Sequence, residues 1–144
     1  MPDEFTTPVK KKIFHWLRRR YHFRSQLTAA SYFDAFATRI DFLFRDRDDR
    51  KIGIVGRNIS TQPLTGIGAF AWKVSENALF EKMDGTLDGV ILVILVANPT
   101  KARKARSLIA NHIATKTPKT LVNDLVIGYM KKKFEPVYLE RSIF

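Results

Sequence analysis

The chain has 144 residues, of which 25 are Lys or Arg and 14 are Asp or Glu, giving a formal net charge of +11. This length predicts one domain, and a hydrophobic fraction of 45% excludes a chain that is disordered throughout. The lack of cysteine excludes disulfides and thiolate metal sites, and the excess of cations favours a polyanionic partner, above all nucleic acid.

The ends of the chain and its apolar runs bear on domain organisation and localisation. We expect residues 1–7 to form a flexible leader and residues 8–144 to form a single domain. The N-terminus has no signal-peptide pattern, and the longest apolar run, residues 89–97, is too short to span a bilayer. These features predict a cytoplasmic protein without a membrane partner.

Thr7 and Pro8 predict the start of a basic amphipathic helix that extends to about Arg24. Apolar residues at three- and four-residue spacing predict its buried face: Val9, Ile13, Trp16, Leu17 and Tyr21. The other positions are rich in cations that we expect to contact phosphates: Lys10, Lys11, Lys12, Arg18, Arg19, Arg20 and Arg24. His22 and Phe23 lie among these cations and are candidates for stacking on a base. A solvated helix face and a helix on an anionic membrane are the alternatives.

The next segments predict a hairpin and a second helix. Residues 26–36 favour a strand, and residues 38–60 predict two strands joined by a charged turn. The acids of that turn predict a solvated connection rather than a calcium loop, because no Gly or Glu follows at the required offsets: Asp46, Asp48 and Asp49. A helix over residues 69–83 follows, with a predicted buried face of Phe70, Val74, Ala78 and Leu79.

The second half of the chain predicts a central strand, a third helix and two further strands. The segment 88–97 is rich in Val, Ile and Leu and predicts a strand covered on both faces. A helix over residues 101–116 is predicted to bury one set of positions: Ala102, Ala105, Leu108, Ile109 and Ile113. Its start carries a second cluster of phosphate-contacting candidates: Lys101, Arg103, Lys104 and Arg106. A strand over 121–130, a basic turn of Lys131, Lys132 and Lys133, and an edge strand containing Pro136 complete the chain. The predicted fold class is α/β, with a mixed central sheet and helices on both faces.

The hairpin has an acid, Asp41, at the start of one strand and the sequence Val55-Gly56-Arg57-Asn58 at the end of the next. With the Ser/Thr-rich loop and the helix that follow, this order resembles the PD-(D/E)xK nuclease superfamily, the restriction-endonuclease-like proteins. The resemblance implies a core of one helix, three strands, a helix and a strand. It also implies two acids that hold a divalent cation, usually magnesium, and a Lys that orients the attacking water.

The match to this motif is incomplete in its second half. Asp41 matches the first acid, and Ile40 occupies the Pro position. Val55 falls at the second acid, where it cannot ligate a cation. Arg57 replaces the Lys, where it remains charged and cannot act as a general base. The resemblance therefore implies a degenerate catalytic site.

If the protein is active, the catalytic candidates are Asp41 and Arg57, with Asp41 and Glu76 as ligands of Mg²⁺. Glu81 and Lys73 on the same helix are further substitutes for the missing half of the motif. If it is not active, we expect no cofactor, and Asp41 pairs with Arg39 or Arg57.

Three functions remain open at this point. The first is a catalytically degenerate protein that binds nucleic acid, DNA in the first place, through its basic clusters. The second is an active magnesium-dependent endonuclease. The third is a non-catalytic subunit of a homodimer or hetero-complex, with Ile143 and Phe144 contributing to the interface.

Overall fold

A computed structural model describes residues 7–28, 31–33, 38–116, 122–132 and 135–140. The predicted leader, apart from Thr7, and the apolar C-terminal pair therefore lie outside the described residues. In chain order the elements are α1 (Thr7–Tyr21), β1 (Ser25–Thr28), β2 (Ser31–Phe33), β3 (Thr38–Ile40), β4 (Phe42–Arg45), β5 (Lys51–Asn58), α2 (Ile67–Met83), β6 (Gly89–Val96), α3 (Pro99–Lys116), β7 (Val122–Lys132) and β8 (Glu135–Glu140).

The strands form a mixed six-stranded sheet in the order β1-β4-β5-β6-β7-β8, with β2 and β3 paired separately. The three central strands β5, β6 and β7 are parallel, and the flanking pairs are antiparallel. The predicted hairpin is confirmed as β4 and β5, but its first arm is shorter than predicted, because the chain breaks at Asp41 and Thr38–Ile40 pairs with β2 as β3. The strand containing Pro136 is confirmed at an edge as β8. The basic turn was placed wrongly in part, because Lys131 and Lys132 continue β7 and Lys132 pairs with Glu135. Lys133 lies outside the described residues.

The predicted α/β class, with helices on both faces of a mixed sheet, is confirmed by the two cores that β6 separates. All eight residues of β6 are buried. Because side chains alternate along a strand, Leu92 and Ile94 pack with α2 and α3, whereas Ile91 and Val93 pack with α1. The central strand is therefore covered on both sides, as its unbroken apolar run predicts.

The helix α1 buries Val9, Ile13 and Leu17, as the spacing predicts. It ends at Tyr21 rather than at Arg24, because His22 adopts a left-handed conformation with φ 54° that ends the helix. The chain then turns back, and the Phe23 ring stacks on Phe44 at a centroid distance of 4.4 Å. The turn thus adds an aromatic side chain to the core beneath α1.

The helices α2 and α3 pack against each other on the opposite face, and two predicted buried positions are wrong. Leu79 and Leu108 are exposed because the sheet covers only one stripe of each helix. Phe70 is half-buried, and the side chain of residue 113 is not among those described. The α2 helix ends at Met83, with Asp84 as its C-cap and Gly85 following at φ 78°. Asn98 caps α3 by accepting a hydrogen bond from the N–H of Lys101 at 2.8 Å.

Within the described residues, no helix combines the length and hydrophobicity needed to cross a bilayer.

Candidate nucleic-acid interface

Arg57 lies near the carboxyl end of β5, where its guanidinium carbon is 4.5 Å from the centre of the Phe70 ring. Phe70 belongs to the first turn of α2, so the contact joins the strand to the helix that follows it. A guanidinium over an aromatic face is held by a cation–π interaction. Its hydrogen-bond donors are not consumed by this contact and remain suited to an anion.

Arg57 borders a small cavity of about 120 Å³ that also contacts Gln62 and Gly66. A neighbouring cavity of about 680 Å³ shares Thr65 and Gly66 with it and reaches α3. The α3 wall of this larger cavity consists of one helical stripe: Lys101, Lys104, Leu108 and His112. We call the two adjoining cavities the carboxyl-edge groove, since they lie where the parallel strands β5 and β6 end.

The electrostatics of the carboxyl-edge groove favour an anion. Arg57, Lys101 and Lys104 line it, and none of its described lining residues is acidic. The N-terminus of α2 also opens into it, with Gly66 as an N-cap that provides no side-chain acceptor. Ligands of α/β proteins commonly bind outside the carboxyl ends of parallel strands.

Asp41 lies beside the same part of β5, between β3 and β4. It is 8% exposed, and its Oδ2 accepts a hydrogen bond from the N–H of Gly56 at 2.8 Å. The Asp41 N–H donates to the carbonyl of Ile54 at 2.8 Å, and the Arg39 Nε lies 3.7 Å from Oδ1. The pairing with Arg39 that the sequence offered as an alternative is therefore present, and this carboxylate helps to hold the hairpin.

Val55, the residue at the position of the second acid, is 2% exposed and belongs to the core beneath α2 and α3. Glu76 lies half-buried on α2. Among the described residues, no group of three His, Cys, Asp or Glu side chains is arranged to hold a metal ion. Asp41 and Glu76 thus remain candidate ligands on the sequence resemblance alone.

The acids of the hairpin turn form hydrogen bonds and ion pairs with residues in or near the turn, and one of these acids is buried. Asp46 Oδ1 accepts hydrogen bonds from the N–H groups of Asp48 and Arg50, and Oδ2 accepts one from the Arg50 side chain. Burial alone would raise the pKa of Asp46, but the hydrogen bonds and charge of Arg50 outweigh it and lower that pKa. The solvated connection predicted here is therefore wrong for Asp46, which organises the turn from within.

The cations of α1 form a second basic surface on the opposite face of the sheet. Burial of the apolar stripe turns most of them outward: Lys11, Lys12, Arg18, Arg19, Arg20 and, beyond the helix, Arg24, with Lys10 half-buried. Arg24 forms an ion pair of 3.0 Å with Asp49, and Arg20 lies 5.3 Å from the Tyr21 ring. Phe23 was wrongly predicted as a base-stacking candidate, because it is 6% exposed and stacks on Phe44 instead.

Lys131 and Lys132, at the end of β7, extend the basic surface of α1. A hydrogen bond from Lys132, with the charges of Lys131 and Lys12, keeps the pKa of Glu135 below its usual value. One carboxylate therefore experiences cations from both α1 and β7. The stacking of Trp16 on Tyr138, at a centroid distance of 4.4 Å, joins α1 to the adjacent strand β8.

The basic cluster at the start of α3 is divided between two flanks of the helix. Lys101 and Lys104 face the carboxyl-edge groove. Arg103 and Arg106 line a different cavity of about 620 Å³, between α3 and the β7–β8 edge. The sequence predicts that these four cations contact phosphate, but it does not predict that they lie on two flanks. They do so because the buried stripe of Ala102, Ala105 and Ile109 runs between them along α3.

Sequence reasoning missed Phe70 and Gly66 as parts of a site. Phe70 was expected in the core, although its position four residues after Gly66 and two after Gly68 is a signal that it flanks a helix N-terminus.

No protein-family model matches the chain, and no curated protein or solved structure shows significant similarity to it.

Proposed function

We propose that the protein binds nucleic acid, with DNA as the preferred partner, through contacts to the phosphate backbone. The observation that carries this proposal is the carboxyl-edge groove, in which Arg57 lines the smaller cavity and Lys101 and Lys104 line the larger one, with the N-terminus of α2 bordering both. Phosphate is the anion that such a combination suits, because guanidinium, ammonium and backbone N–H groups all donate to it. The net charge of +11 supports a polyanion over an isolated anion.

The basic surface of α1 and β7 supplies additional contacts in this proposal. Lys12, Lys131 and Lys132 lie close enough to act on one carboxylate, so they present a concentrated positive field. Contacts of this kind do not read base sequence, and we expect recognition of backbone and shape. Affinity should therefore fall steeply with salt concentration.

We further propose that the scaffold is a catalytically degenerate relative of the PD-(D/E)xK nucleases. The burial of Val55 and the hydrogen bond from Gly56 to Asp41 support this reading, since one candidate ligand is apolar and the other is engaged in the hairpin. Supercoiled plasmid incubated with the protein and Mg²⁺ or Mn²⁺ should remain uncut. Cleavage that is abolished by Asp41→Asn would instead establish the active endonuclease.

Binding is tested by fluorescence anisotropy with labelled duplex DNA and RNA over a series of salt concentrations. The double variant Lys101→Ala/Lys104→Ala should weaken binding at every salt concentration and reduce the salt slope by about two phosphate contacts. The matched control Arg47→Ala/Lys82→Ala removes the same charge from exposed positions outside the groove. Equal loss in both variants would show a non-specific charge effect and would contradict the site.

A second candidate function, self-association through α2, is favoured by an exposed apolar surface. Leu79, Phe80 and Met83 lie on the outer side of α2, with Phe80 62% and Met83 76% exposed. This helix contains two Lys and two Glu, so it is balanced in charge within a strongly cationic chain, and a second copy could approach it without repulsion. Light scattering after gel filtration would detect a dimer that Phe80→Ser disrupts. A monomer at all concentrations would eliminate this candidate.

A further inference from the structure

The cavity between α3 and the β7–β8 edge combines an apolar floor with a cationic wall. Its volume of about 620 Å³ lies within the range of small-molecule sites. Ala102 and Ile127 are almost fully buried and Leu139 is half-buried, while Arg103, Arg106 and Ser107 supply polar groups from α3. None of the described lining residues is acidic. Such a lining suits a ligand with one anionic group and one flat, partly apolar body.

Tyr138 also borders this cavity, but its ring stacks on Trp16 and belongs to the core beneath α1, on the opposite face of the sheet. Because side chains alternate along β8, Leu139 is the residue of this strand that faces α3. The polar groups that a ligand in the cavity would meet therefore come from α3.

The position of the cavity relates it to the proposed nucleic-acid site. Lys101 and Lys104 face the carboxyl-edge groove on one flank of α3, and Arg103 and Arg106 face the cavity on the other. The two flanks of a helix are separated by about its diameter, 10–12 Å. A nucleic-acid strand whose backbone contacts the carboxyl-edge groove therefore needs to cross only α3 to bring one of its nucleotides to the cavity.

We propose that this cavity binds one unpaired nucleotide of a bound strand. Its phosphate contacts Arg103 and Arg106, and its base lies against Ala102, Ile127 and Leu139. A guanidinium suits this task because it binds phosphate oxygens in pairs and also stacks on a base. The inference rests on the proposed nucleic-acid function and narrows its substrate to strands with unpaired nucleotides, such as single strands, overhangs or branches.

The test compares the affinity for a blunt DNA duplex with that for the same duplex carrying a three-nucleotide overhang. The wild-type protein should bind the overhang about tenfold more tightly, an effect of the size that one buried base provides. Ser107→Trp fills the cavity from an exposed helical position and should abolish this preference without changing affinity for the blunt duplex. The matched control Asn111→Trp lies one turn further along α3, outside the cavity lining, and should retain the preference. Thermal unfolding of both variants verifies that they are folded.

The outcomes separate this inference from the proposed function. Equal affinity of the wild type for the two duplexes, or a preference that survives Ser107→Trp, would overturn the nucleotide site and leave backbone binding intact. If neither duplex binds at low salt, the proposed function itself fails. Titration with free deoxyadenosine monophosphate distinguishes the two sources of a nucleotide. If the wild type binds the free nucleotide, Ser107→Trp abolishes that binding, and no preference for overhangs exists, the cavity binds a free nucleotide. This result would overturn its assignment to a nucleotide of a bound nucleic-acid strand.

Discussion

The Asp41 carboxylate accepts a hydrogen bond of 2.8 Å from the backbone N–H of Gly56, which lies across the hairpin on β5, next to Arg57. This bond connects the start of β4 to the segment that carries both Val55 and Arg57. Asp41 is thus a structural acceptor within the hairpin, and this gives it a measurable role in stability.

Substitution of Asp41 should therefore destabilise the protein. Asp41→Ala removes the acceptor of a partly buried N–H, so the free energy of unfolding should fall by about 1–2 kcal/mol. Asp41→Asn keeps a side-chain oxygen and should cost less. Urea denaturation followed by circular dichroism measures both. An alanine variant as stable as the wild type would show that Gly56 does not depend on this bond.

The Phe70 ring should support phosphate binding by Arg57. Phe70→Leu keeps an apolar side chain but removes the aromatic face, so the guanidinium loses a contact of about 0.5–2 kcal/mol and becomes less ordered. We expect a three- to tenfold loss of DNA affinity, in line with this energy. Phe70→Tyr preserves the face and is the matched control. Fluorescence anisotropy with the duplex DNA used above measures the affinity of both variants. If Phe70→Leu binds as tightly as the wild type, the proposed role of the ring is contradicted.

The lowered pKa of Asp46 predicts a dependence of stability on pH. The folded-state pKa lies below the usual value of 3.8, so ionised Asp46 stabilises the fold fully above that value. The contribution is lost as the pH falls through the folded-state pKa. The stability difference between wild type and Asp46→Asn should therefore be constant near neutrality and shrink below about pH 4. The urea midpoints of the wild type and Asp46→Asn, measured at several pH values, test this prediction. A difference between them that stays constant down to pH 2 would refute it.

Two glycines in the sheet should respond differently to an added methyl group. At Gly128 a Cβ would lie 2.7 Å from the backbone oxygen of Val137, and a backbone atom cannot move aside without disturbing β8. Gly128→Ala should therefore cost about 1–3 kcal/mol. At Gly53 the nearest atoms are side-chain carbons of Leu87 and Ile40 at 3.3 and 3.4 Å. Gly53→Ala should remain within about 1 kcal/mol of the wild type. Thermal unfolding measures the stability of the two variants. An equal loss of stability in both would contradict the predicted difference.

The sequence predicts the order of elements well because their periodicities are strong. The three buried residues of α1 follow helical spacing, and the apolar run of β6 identifies a strand covered on both faces. The end of α1 was misjudged because the left-handed backbone of His22 depends on how Phe23 reaches the core. Leu79 and Leu108 were misjudged because helical spacing does not show how wide a stripe the sheet covers.

The candidate site is less predictable than the fold, because it depends on contacts between separate elements. Arg57 was identified from its position after Asp41, but its contact with Phe70 requires β5 and the first turn of α2 to meet. The division of the α3 cations between two cavities likewise depends on the packing of α3 against the sheet. Chemistry can be assigned to residues from their types, whereas a cavity exists only once distant segments are packed together.

The complete burial of β6 has a consequence for how the chain folds. Its partners are remote in sequence, since Ile54 pairs with Ile91 and Leu92 pairs with Leu125. During synthesis the strand therefore emerges from the ribosome before β7 emerges to cover its second edge. An uncharged β-branched segment in that condition is prone to pair with another chain. Refolding yield should consequently fall as protein concentration rises, with β6 as the segment through which incomplete chains associate.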